Sequence, residues 1–322
     1  MRIRLIAVAS CIALLAVVSS AQAGQKEFQK LTVGYTPIAA GSLPLFIAVE
    51  ERIFQKYGYE VSAVFMGGSP LINSAILAGE FPIGYTGGGA VIASRLSGSD
   101  LIAIASPLPV LTIDAWSRPE IKSISDLKGK RIGVTRIGAS TYFSALSMLD
   151  SAGVKANEVA FIQNGGIGES FAALRNGLVD ASMLGYPFAL YAKNAGFNPL
   201  FQPSQSEYGL FPNEVVTARE SWLKDARNRK IAVDFLRALN EGQQLARGNA
   251  MIAKRALRRF TRVDDDASLQ GSFEYYRVAF ASSLKVSEKV MANALKFIDH
   301  PKAKQFDVRQ SFDNSFIDEA MR

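Results

Sequence analysis

The feature that most constrains this chain is a repeat within it. Residues 60–89 read EVSAVFMGGSPLINSAILAGEFPIGYTGGG, and residues 158–185 read EVAFIQNGGIGESFAALRNGLVDASMLG. Their landmarks keep one offset: Glu60/Glu158, Val61/Val159, Gly67/Gly165, Gly68/Gly166, Ile76/Leu174, Gly79/Gly177 and Gly87/Gly185 all differ by 98 (165 − 67), as do Ser42 and Ser140 upstream. A strand ending in Gly-Gly, a helix, a glycine and a second strand ending in glycine make an α/β unit. The offset far exceeds the periods of about 20–50 residues that mark solenoids, so the repeat predicts two similar lobes and not an array.

The first 23 residues carry a different signal. Arg2 and Arg4 precede an apolar run over 5–18, and Ala21-Gln22-Ala23 fits a small-residue cleavage site. This pattern predicts a secretory signal peptide, with a run short for a membrane anchor. Cys11 sits inside that run, too early for lipidation, and it is the only cysteine of the 322 residues. The chain after residue 23 therefore offers no disulfide, thiolate nucleophile or cysteine metal ligand, and must hold itself together by its core. Without Arg2 and Arg4, 34 of the 36 basic residues face 29 acidic ones, an excess of 5. So mild an excess favours anionic ligands weakly, and together with export it argues against nucleic acid.

Along the first lobe, strands are expected at 31–35, 59–65, 81–85 and 100–105, the last of them apolar enough for a parallel sheet covered on both faces. Helices are expected from Ser42, as N-cap, to Gly58, then from Ser69-Pro70 to Gly79, and over 90–96. The second lobe repeats the plan with strands at 131–135, 158–163 and 180–184 and helices at 141–151, 169–176 and 187–194. Residues 111–117 carry the chain out and 213–218 bring it back, two crossovers that suit a hinge. Helices are expected at 228–245, 250–260, 264–280 and 287–298, packed on the first lobe, and the tail after His300 is ambiguous. The division expected is a leader at 1–23, one lobe of 24–112 with 217–322, a second lobe of 113–216, and hinge crossovers near 111–118 and 212–218.

In parallel α/β sheets ligands lie beyond the carboxyl ends of the strands, at helix N-termini whose partial positive charge holds anions. The loops there carry Ala39, Ala40, Gly41, Ser42, Gly68, Ser69, Thr86, Gly87 and Gly88 in one lobe. The other contributes Ser140, Thr141, Gly166, Gly168 and Tyr186. Each of these alone fits a turn or a cap; as a matched set they point to ligand binding. Tyr35, Tyr85, Tyr186 and Trp116 lie beside the loops, fit either to clamp a ligand or to pack the lobes. Asn213 suits a ligand hydrogen bond or a turn after Pro212. Asp114 suits a ligand amine or a pair with Arg118 on its own strand, and the second is expected.

Catalytic motifs are thin. His300, the only histidine, is far in sequence from every strand-end loop. Gly138-Ala139-Ser140-Thr141-Tyr142 lacks the final glycine of a nucleophile elbow, and Gly166-Ile167-Gly168 does not continue as a dinucleotide fingerprint. The chain is expected to be non-enzymatic and to need no cofactor or metal. Lys254, Arg255, Arg258, Arg259 and Arg262 form a basic stripe that reads as a solvated face, partly offset by residues 264–266.

LTVGYTP, GSLPLFIAVEERIFQKYGYEV, SAILAGEFPIGYTGGGAVI, SISDLKGKRIGV and ALRNGLVDASMLGYPFAL resemble the solute-binding proteins of ABC transporters, in the nitrate/sulfonate/taurine/thiamine-precursor group. The resemblance covers residues 31 to about 297. It implies a two-lobed type II periplasmic-binding-protein fold, each lobe a mainly parallel sheet flanked by helices, joined by two crossover strands. Such a protein is periplasmic and monomeric, closes on a small solute, expected here to be anionic (a sulfonate, carboxylate, nitrate-like ion or aromatic acid), and presents it to an inner-membrane permease. Two departures stand out: Pro82 where relatives often carry Asp, and Tyr186 where sulfonate binders tend to carry Trp. The second argues against taurine and alkanesulfonates and leaves room for carboxylates and aromatic acids. Alternatives are a thiamine-precursor binder or related pyrimidine-making enzyme, against which the leader and the lack of a pocket histidine argue, and a sensing protein that docks on a receptor kinase.

Overall fold

The computed structural model describes residues 27–322; the expected leader, its cleavage site and Cys11 lie outside the described residues. Ten strands form two five-stranded sheets. The first sheet holds β1 (Gln29–Tyr35), β2 (Tyr59–Phe65), β3 (Ile83–Thr86) and β4 (Leu101–Val110). The chain then enters the second with β5 (Asp114–Ser117), β6 (Arg131–Val134), β7 (Ala160–Gln163), β8 (Ala181–Leu184) and β9 (Asn198–Phe201), and returns to the first as β10 (Leu210–Arg219).

The sheet orders are β2-β1-β3-β10-β4 and β7-β6-β8-β5-β9. Strands β1, β2 and β3 are parallel, as are β6, β7 and β8. In each sheet the fourth strand is antiparallel to the third and belongs to a crossover: β10 beside β3, and β5 beside β8. The repeat in the sequence is thus a repeat of topology. Its helix-ending glycines match too, since Gly79 (φ 81) and Gly177 (φ 72) both adopt the left-handed conformation that closes a helix.

Two local expectations change. Strand β4 is buried as its apolar run requires, yet its neighbour is the antiparallel β10, because that strand arrives from the other lobe. Strand β9, with only four residues and a proline, was not apparent in the sequence; it adds to the edge of the second sheet through β5.

The C-terminal helices pack mainly on the first lobe. Asp225 caps the helix Ala226–Gly248 by accepting from the Arg227 and Asn228 amides. This helix lies against Leu43–Glu50, and Phe235 stacks on Phe54 with centroids 5.1 Å apart. Ala250–Thr261 adds Phe260 stacked on Phe46 at 4.1 Å. Four of the five residues of its basic stripe are ion-paired: Lys254 with Asp266, Arg258 with Asp264 and Asp266, Arg255 with Glu51 and Arg259 with Glu50. The tail is ordered into the helix Ser315–Ala320, which buries Phe316, Ile317 and Ala320. Six residues are too few to show a period in sequence.

Phe235 is fully buried. Phe235→Ala is expected to lower stability by about 3–5 kcal/mol, read as a reduced urea midpoint with an unchanged slope.

Candidate functional site

The strand-end loops of the two lobes meet across a cleft. A Cβ placed on Gly67 would stand 2.7 Å from the carbonyl oxygen of Gly165, so glycine is what lets the two backbones approach. Arg136 Nε donates to the Gly67 carbonyl at 3.0 Å. The Ala40 amide donates to the Tyr186 carbonyl at 2.9 Å, and Ser140 Oγ donates to the Asn213 carbonyl at 3.0 Å. The matched halves of the repeat therefore face each other.

Behind these contacts lies a buried polar centre. Thr112 Oγ1 sits 2.9 Å from the Tyr276 hydroxyl and accepts from Asn213 Nδ2 at 3.3 Å. Tyr276 is on the helix Asp266–Ala279 and makes an edge contact with Tyr186, which stacks on Tyr275 at 4.4 Å. The Tyr85 hydroxyl donates to the Gly41 carbonyl at 2.8 Å, and Glu214 Oε1 would lie 3.3 Å from a Cβ on Gly41. Several polar atoms in this region are buried without a hydrogen-bond partner: both carboxylate oxygens of Asp114, Glu214 Oε2, Asn213 Oδ1, Thr86 Oγ1 and Trp116 Nε1. Such groups cost free energy in a closed protein unless something bonds to them.

Burial pushes the Asp114 carboxyl up to about 7; Gln202 and the Tyr186 hydroxyl pull the other way, but neither completes a hydrogen bond. Burial also raises Glu214 well above the usual carboxylate range. The Tyr276 hydroxyl is raised by burial first, and further by its nearness to Tyr275, Asp114 and Glu214.

The residues expected at the site divide into three groups. Thr86, Trp116 and Asn213 keep unpartnered buried polar atoms, and Tyr186 lies against Tyr275 and Tyr276. A second group is spent on the loops themselves. Ser42 Oγ donates to the Pro37 carbonyl and so does not cap its helix, while Ser69 Oγ accepts from the Gly87 amide. Thr141 Oγ1 accepts from the Thr135 amide, and Ala39, Ala40, Gly41, Gly68, Gly88 and Gly166 shape the backbone. Tyr35 and Gly168 instead line a groove of about 760 Å³ between the lobes, with Ile38, Phe188, Phe260 and Arg262.

Asp114 does not pair with Arg118, whose Nε binds Glu120 at 2.6 Å. Four residues of extended chain place their Cα atoms about 13 Å apart, too far for a salt bridge. Glu214, Thr112, Tyr275 and Tyr276 were not expected at the site. An acidic residue inside an apolar strand was the available signal for Asp114 and Glu214; nothing local marked the tyrosines, which arrive from a distant helix.

Two lobes, each a mixed sheet with flanking helices, closing on a polar centre define the periplasmic-binding-protein fold. Two of the solved structures that share it come from different bacteria. One is a protein of Bordetella bronchiseptica, with a TM-score of 0.82, 21% identity, and 91% of this chain and 97% of that one covered. The other is the periplasmic aliphatic sulphonate binding protein SsuA of Escherichia coli, with a TM-score of 0.68, 20% identity, and 91% and 99% covered. Residues 40–250 match the NMT1/THI5-like family, and the chain belongs to it. A protein of Brucella abortus named as a binding protein is 29% identical over 157 residues, 48% of this chain and 47% of that one. The match thus spans about half the length of that curated relative.

Two outcomes are expected. Gly67→Val should crowd the Gly165 carbonyl and loosen the contact between lobes, seen as several-fold faster hydrogen exchange of the Ala40 amide. Asp114, held protonated by the fold to about pH 7, contributes most to stability at low pH. Its contribution should fall as pH rises from about 4 to 7, by up to about 1.4 kcal/mol per unit, and then level off. The urea midpoint of Asp114→Asn should therefore rise relative to that of the wild type as the pH is raised across that range.

Proposed function

We propose that this chain is the solute-capturing component of an ABC importer, holding a small molecule between its lobes and presenting it to a permease in the inner membrane. The observation that carries this reading is the set of matched loops closing over buried polar side chains that lack partners within the protein. Side chains left so are a binding site's unfilled bonds. Support also comes from the binding-protein relatives and from the shared fold. In this reading the protein is periplasmic, acts as a monomer and performs no chemistry on its solute. The lobes divide as 24–112 with 217–322 against 113–216, and bending near 111–118 and 212–218 opens the cleft.

Among the described residues no helix is long and apolar enough to cross a membrane, which suits a protein that delivers its cargo to a separate permease. A solute that binds only the closed form shifts the population toward it. The working site comprises Thr86, Asp114, Trp116, Tyr186, Asn213, Glu214 and Tyr276.

The test is a thermal-shift screen of protein unfolded and refolded to remove carried solute, followed by X-ray scattering with any hit. A true solute at a hundredfold excess over Kd adds about 2.7 kcal/mol of stability. It should also lower the radius of gyration. Stabilisation without compaction would sink the closure mechanism, and a well-folded protein indifferent to every small molecule would sink the receptor reading.

A further inference from the structure

With its carboxyls ionised, the polar centre of the cleft has more unfilled acceptors than donors. Asp114 leaves two oxygens unpartnered, Glu214 one and Asn213 one, while Trp116 Nε1 is an obligate donor and Thr86 Oγ1 serves either way. Asp114 is completely buried and Glu214 is 2% exposed. Neither forms an ion pair with a described lysine, arginine or histidine. The groups facing Asp114 are Gln202 after β9, Tyr186 after β8, and Tyr275 and Tyr276 on the helix Asp266–Ala279; those facing Glu214 are Tyr85 on β3 and Tyr276. All are ordinarily neutral. A buried carboxylate without a cation costs several kcal/mol, and the chain does not supply the cation.

We propose that the solute enters this cleft by a cationic, N–H-bearing head (an ammonium, amidinium or guanidinium) seated against the carboxyls of Asp114 and Glu214 beside the rings of Tyr186, Tyr275 and Tyr276. This rests on the receptor reading and gives its substrate class. A cation donates where the site has acceptors to fill, and aromatic faces add attraction for it. An anionic head, which the helix N-termini alone favour, would instead meet acceptor oxygens. Charge pairing also requires the carboxyl that takes the cation to be ionised. Since Asp114 keeps its proton to about pH 7 in the empty protein, binding releases a proton and the affinity rises with pH.

The experiment sets probes of opposite charge and similar shape against one another: benzylammonium, benzamidinium and methylguanidinium against benzoate, benzenesulfonate and nitrate. Stripped protein is titrated calorimetrically at pH 6, 7 and 8, in two buffers of different ionisation enthalpy. The expected result is binding by cations, with proton release and an affinity that rises up to about tenfold per pH unit below 7. Asp114→Asn and Glu214→Gln should weaken it by tenfold or more, while Glu120→Gln, at the exposed Arg118 pair, should leave it unchanged. Proton release from the wild type is a readout that survives if either cleft variant misfolds. Binding by anions alone, with affinity falling as pH rises, would overturn the proposal and leave the receptor standing, with protonated carboxyls acting as donors. Cation binding untouched by both folded cleft variants, or without proton release, would overturn it as well. If probes of neither charge bind and the broader screen above still finds a solute, the charge proposal alone fails; if that screen is also flat, the receptor reading falls with it.

Discussion

The path of the chain through its two crossovers is the constraint on which everything else depends. The first sheet is not finished by one run of sequence: β10 completes it only after the chain has built the second, which β5 enters directly from the first. Each crossover strand hydrogen-bonds to a parallel three-stranded core, β10 in the first sheet and β5 in the second, so the segments joining the lobes are anchored at both ends. Bending of the lobes about those short segments is the motion the proposed function needs. The same strands bring Asp114 and Asn213 to the junction, so one arrangement holds the lobes together and furnishes the cleft with polar groups.

Much of the fold was legible because it is written twice. The offset of 98 residues turned two ambiguous stretches into one α/β unit in two copies, and the sheet orders follow that correspondence. What was lost had no local signal. Strand β9 is four residues with a proline, and the helix Ser315–Ala320 is shorter than two turns. The antiparallel neighbour of β4 depends on where the chain comes from, and an apolar run does not record that.

The candidate site was legible by place more than by role. Loops at strand ends do meet across the cleft, yet most of their hydroxyls close local bonds, as Ser42 does with Pro37 and Ser69 with Gly87. Within the cleft, the side chains left with unmet hydrogen bonds lie mainly on the crossover strands, at Asp114, Trp116, Asn213 and Glu214. Proximity in sequence favours a pair between Asp114 and Arg118. Strand geometry separates them, and that separation leaves the carboxyl to the cleft.

The helix Asp266–Ala279 supplies Tyr275 and Tyr276 to the aromatic wall of the cleft, although it belongs to neither copy of the repeat. It also lies beyond residues 40–250, which carry the family signature. Membership in the family and the lining of the cleft are therefore partly written in different stretches of chain. Under the proposed function, two relatives with the same signature could differ in what they carry through changes in one peripheral helix.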